Sequence, residues 1–237
     1  MRLALRGLDN GELCRARRSA AESVAAFARA TERHGSLIRA WVGDEAPLSL
    51  EHYPPGGVVD TRRGAEYFYH CHRADAPEHG HLHLFGHATR SGRRRDSRRR
   101  PWRRAAPSHL IAIGLDARGL PVSLFTVNRW VTGGHWFDAA TTLALVDRFL
   151  PEAGADPGDG ADDASVWLRS FVRLYRPLIA RVLRARDRRL ARAGGGHAEA
   201  ALDDRAIEVA SSVRLDWAGD LQQLEAELAA RGLAAPA

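Results

Sequence analysis

Lysine is absent from this chain of 237 residues, so all 35 basic residues are arginine. Alanine, glycine and aspartate are abundant alongside it, which points to a GC-rich coding sequence, and arginine content alone therefore carries little weight as a sign of nucleic-acid binding. Cysteine occurs only twice, as Cys14 and Cys71, too few for a disulfide framework. Reduced thiols and a cytoplasmic protein are expected. No run of 18 apolar residues is present, which excludes a membrane-spanning helix of ordinary length. The opening MRLALRGLDNGEL meets Asp9 and Glu12 before any continuous apolar stretch, so it does not read as an export signal. Also missing are a nucleophile elbow, a phosphate-binding loop and a dinucleotide fingerprint, which removes the most recognisable enzyme classes.

What the sequence does contain is histidine in one place. Of its 11 histidines, His70, His72, His79, His81, His83 and His87 fall within residues 70–87. At the two-residue period of a strand, Phe68, His70 and His72 share one face, and His79, His81, His83, Phe85 and His87 share another. The intervening ADAPE has the proline and polar residues of a connecting loop, so the two segments form an antiparallel hairpin. The register is left open: either His70 faces His81, or it faces His83. Both put four imidazoles on one face, and opposed Cβ atoms in a hairpin lie about 4.5 to 5.5 Å apart. Imidazole and carboxylate donors suit Zn(II), Fe(II), Ni(II) or Mn(II). The candidate metal ligands are His70, His72, Glu78, His81 and His83. His70, His72 and His81 are the first choice, completed by Glu78 or His83.

Residues 90–104 hold nine arginines against one acid, Asp96, a charge of +8; the whole chain is +6, which leaves −2 for the rest. The tract lacks an accompanying basic helix, so a solvated insertion at 90–106 is expected in preference to a nucleic-acid contact. Deleting residues 91–104 and closing the gap with a short Gly/Ser linker should change stability by no more than about 1 kcal/mol, because loop-closure entropy varies only logarithmically with length. A denaturant melt of the deletion protein checks this, and a collapse of folding would mark the tract as structural.

The remaining periodicities organise 1–237 as one α+β domain. Asp9 and Glu12 have capping-box spacing ahead of a helix over 9–34 that Gly35 ends. Residues 41–64 read as a long loop, rich in proline and glycine. An antiparallel sheet of at least four strands occupies 65–132, where LIAIGLDARGLPVSLFTVNRW forms a second hairpin about the turn Asp116, Ala117, Arg118, Gly119. Asn128 and Arg129 at its end are candidates to line a site. The stretch 138–232 is expected to be helical: Asp138 caps one helix and Asp162 or Asp163 caps the longest, which Pro177 should kink or split. A short helix at 199–210 and a terminal helix capped by Asp216 follow. The N-terminal and C-terminal helices cover the sheet.

The segments YFYHCHR, EHGHLHLF, GLDARGLP and LFTVNRWVTG resemble the shared segments of an uncharacterised bacterial family of unknown function, from about Tyr53 into the helix after Asp162. That resemblance implies no activity. Gly64, His70 and His72 are also similar to the start of the first cupin motif, but the spacing to Glu78 is longer and no second motif follows. The cupin likeness is one of chemistry and not of fold.

Three function classes follow from these readings. The first is a metal-dependent enzyme acting on a small molecule, with an open coordination position that activates water or O₂. The second is a binding module that holds a metal or ligand without turnover, and the third is a nucleic-acid-associated protein using the arginine tract.

Overall fold

The computed structural model of the chain describes residues 3, 5, 7–71, 78–88, 106–150 and 162–233. The arginine tract at 90–104, His72 and the hairpin loop up to residue 77 lie outside them. In order, the elements are α1 (Asn10–His34), α2 (Arg39–Val42), β1 (Tyr53–Asp60), β2 (Ala65–His70), β3 (Gly80–Gly86), β4 (Ser108–Leu115), β5 (Pro121–Val127), α3 (Arg129–Thr132), α4 (Ala139–Phe149), α5 (Asp163–Ala193), a 3₁₀ turn (Ala198–Ala201), β6 (Val209–Arg214) and α6 (Trp217–Ala230). The fold is α+β. Among the described residues no helix is long and apolar enough to cross a membrane.

All six strands form one antiparallel meander in sequence order. Its two faces differ. Tyr67, Tyr69, Leu82, Leu84, Ile111, Ile113 and Leu124 belong to the main core with the buried rows of α5. Tyr67 Oη lies 2.7 Å from Ser165 Oγ of α5, and Trp41 packs on both Tyr69 and Trp167. The longest helix, with α1 packed on it, therefore covers one face. The opposite face carries the histidines.

Helix termini follow the sequence signals. The Asp9 carboxylate accepts from the Glu12 amide while the Glu12 side chain accepts from the Asp9 amide, and Gly35 closes α1 in the left-handed conformation. Asp138, Asp162 and Asp216 cap α4, α5 and α6 through backbone amides.

Four expectations need correction. Residues 41–64 are not all loop, because β1 runs through Pro54, Pro55, Gly56 and Gly57. Proline and glycine are tolerated there because β1 is an edge strand with a register shift between Tyr53 and Val58. The expected helix at 199–210 is a 3₁₀ turn followed by β6, which extends the sheet by pairing with β5. Pro177 does not split α5, which runs as one helix from Asp163 to Ala193. An interior proline costs a helix about 3 kcal/mol, and α5 is anchored on both sides of it by the buried Phe171, Leu174, Leu178 and Val182. Lastly, Asn128 lines no site: it is 1 % exposed, caps α3 through the Arg129 amide, and donates from Nδ2 to the Ala201 carbonyl.

Candidate metal centre

Cross-strand register builds the site as rows. His70 of β2 opposes His81 of β3, which opposes Gly114 of β4, which opposes Ser123 of β5. In the adjacent row Phe68 opposes His83, then Ala112, then Phe125, then Ser212. Glu66, Phe85 and His109 make a third row. Of the two registers open in the sequence, the one that pairs His70 with His81 is realised. Gly114 of β4, lacking a side chain, leaves room for the Glu78 carboxylate and the Ser123 hydroxyl beside His81.

The metal-ligating atoms of His70, His81 and His83 all lie within 4.8 Å of one another. His81 and His83 are 6 % and 3 % exposed, and their rings meet at right angles with centroids 4.7 Å apart. His70 Nε2 is 2.8 Å from His81 Nε2. Three nitrogen ligands at about 2.0–2.1 Å around a tetrahedral ion would stand about 3.3 Å apart, so a bound ion requires this pair to separate by about half an ångström. Phe68 and Phe125 pack around the three rings, and Phe85 joins them against His83.

Hydrogen bonds on the far nitrogens fix the tautomers. Glu78 Oε1 accepts from His81 Nδ1 at 2.7 Å, and Ser123 Oγ donates to Glu78 Oε2 at 3.0 Å. A proton held on Nδ1 by Glu78 leaves the Nε2 lone pair of His81 to face the cluster. This is the carboxylate–histidine arrangement that orients ligating imidazoles and raises their basicity. His83 is held similarly, its Nδ1 lying 3.0 Å from His109 Nε2. Burial, then the nearby Arg186 and His81, push the His109 pKa down to about 3, so His109 stays neutral, and its Nε2 can accept a proton held on His83 Nδ1.

Of the five residues singled out from the sequence, the structure brings His70, His81 and His83 together and places Glu78 behind His81, bonded to it. His72 lies outside the described residues. His79 departs from strand alternation: it precedes β3, and its Nδ1 lies 2.6 Å from the hydroxyl of Tyr69, a core residue. Burial, followed by the nearby Cys71 and Glu78, raises the Tyr69 pKa, so the phenol keeps its proton. His109 was not legible from alternation, which groups it with Ile111 and Ile113. An irregularity in the β3–β4 register pairs Ile111 with Leu84 but His109 with Phe85, and this shift carries His109 to the histidine face.

Two pockets flank the cluster. One of about 480 Å³ is lined by Glu78, His81, Ser123, Phe125, Glu208 and Ser212, and one of about 300 Å³ by His52, Glu66, Phe68, Phe85, Pro107 and Thr132. His70, His83 and Val131 border both.

The chain belongs to the family described as Domain of unknown function (DUF6969), whose model matches residues 17–215. That span includes every described residue of the cluster. No curated protein and no solved structure matches the chain.

Proposed function

We propose that this member of the DUF6969 family binds one divalent transition metal through His70, His81 and His83 and uses a coordination position facing the cleft to engage a small molecule. The observation that carries this reading is the convergence of three ligating atoms within 4.8 Å beside open pockets. Three protein ligands with a free fourth position characterise catalytic zinc sites, in which the bound water ionises near pH 7 (about 7). An all-imidazole set suits Zn(II), Ni(II) or Fe(II) better than Mn(II). Glu78 and His109 are the outer hydrogen-bond partners that orient His81 and His83. Three ligands converge among the described residues, and a fourth position left open in this way favours an enzyme over a closed storage site.

Cobalt substitution tests the reading. Co(II) held by three imidazoles and one exchangeable ligand gives intense visible bands that shift when imidazole is added. A spectrum no different from aqueous cobalt would overturn it.

The outer partners have a test of their own. A Cβ at Gly114 would overlap the Glu78 carboxylate and the Ser123 hydroxyl. Gly114→Ala and Glu78→Ala should therefore each weaken metal binding by about 10–100-fold, the usual effect of losing an outer partner, as measured by competition with a chelating dye. Unchanged affinity in both would remove Glu78 from the site.

A further inference from the structure

We propose that the pocket on the β1–β2 side of the cluster seats the aromatic ring of a small molecule that is uncharged or cationic at the ring, while a donor atom of the same molecule occupies the metal's cleft-facing position. This rests on the metal reading above and adds the ligand class. One wall of the pocket is a continuous aromatic surface. The His52 ring stacks on Phe68 with centroids 3.7 Å apart, Phe68 stacks on Phe85 at 5.5 Å, and both continue to His83 at 5.6 and 6.0 Å. A planar ring laid along that wall keeps offset or edge contact with several partners at once, which is the arrangement aromatic pairs prefer. Because His70 and His83 border this pocket as well as the larger one, a ring seated here lies beside the metal ligands.

Charge narrows the class further. Glu66 lines this pocket, and Glu78 and Glu208 line its neighbour. No arginine is among the described residues lining either, in a chain with 35 of them. Among the described lining residues a phosphate or carboxylate on the ring would meet carboxylates and no guanidinium, and a low-dielectric aromatic wall makes such a burial costly. The metal can take an anionic donor atom, but the described lining disfavours an anionic group elsewhere on the ligand.

The experiment uses zinc-loaded full-length protein with three probes: imidazole, 4-phenylimidazole, and 4-phenylimidazole bearing a carboxylate at the para position of the ring. Affinities are measured by calorimetry, and zinc per chain is measured on the same samples. The phenyl compound should bind about tenfold tighter than imidazole, and the para-carboxylate should lose most of that gain. Phe68→Leu keeps apolar volume but removes the ring, so, compared at equal zinc per chain, it should reduce the affinity ratio of 4-phenylimidazole to imidazole several-fold. Equal affinity for the first two probes, or a phenyl advantage that Phe68→Leu does not alter, overturns the ligand class while leaving the metal reading intact if zinc is stoichiometric. Failure of Zn(II), Fe(II), Ni(II) and Mn(II) alike to load overturns both.

Discussion

Phe171→Ala should lower stability by about 3 to 5 kcal/mol, the usual cost of deleting a fully buried phenylalanine ring. Phe171 has no exposed surface and sits between Trp167 and Tyr175 on the same helix, with ring centroids 5.1 and 4.6 Å away. The Trp167 ring in turn touches Trp41, which stacks on Tyr69 of β2. A cavity at Phe171 thus opens inside the layer that holds the sheet from behind, where α1 and α5 leave little room to collapse. Arg188, exposed further along the same helix, is the control, and its alanine variant should stay within about 0.5 kcal/mol of the parent. Denaturant midpoints at constant slope measure both. Equal, small losses would mean that α5 does not cover the sheet.

His81→Ala should cause the largest loss of metal binding of any single substitution, exceeding the about 10–100-fold expected from removing an outer partner. His81 is the hub of the cluster: Nε2 meets His70 and Nδ1 meets Glu78. Its removal takes away one ligand, leaves the Glu78 carboxylate without the imidazole it orients, and opens a gap against Phe125. His70→Ala and His83→Ala each remove one ligand and should follow. Metal binding in the parent should also weaken on acidification, because the protonated imidazole has no lone pair to donate. Titration of metal content between neutral and mildly acidic pH checks the direction, and binding that strengthens on acidification would exclude imidazole ligands.

The parts of this site that follow strict alternation could be read from the chain alone. His70, His81 and His83 sit on one face because nothing interrupts the two-residue period of β2 or β3. His109 could not be read that way, since the register shift near Leu84 and Phe85 reverses its face and no turn residue marks the irregularity. The edge strand β1 was hidden by two prolines and two glycines, residues that usually break strands and survive here because one side of the strand has no partner in the sheet. β6 is short, and its VASSVR is settled by pairing with β5, a long-range contact that local propensity does not encode. By contrast the capped helices were plain, because an aspartate cap ahead of apolar periodicity is a local signal.

The most direct test is metal retention by protein purified without a histidine tag, incubated separately with Zn(II), Fe(II), Ni(II) and Mn(II), then desalted and analysed for metal per chain. Close to one zinc per chain is expected for the parent. Leu82→Val, on the core face of β3, should match it; so should His72→Ala if three ligands suffice. His70→Ala, His81→Ala and His83→Ala should each retain far less. Retention well below one metal per chain for all four ions in the parent would contradict the metal centre.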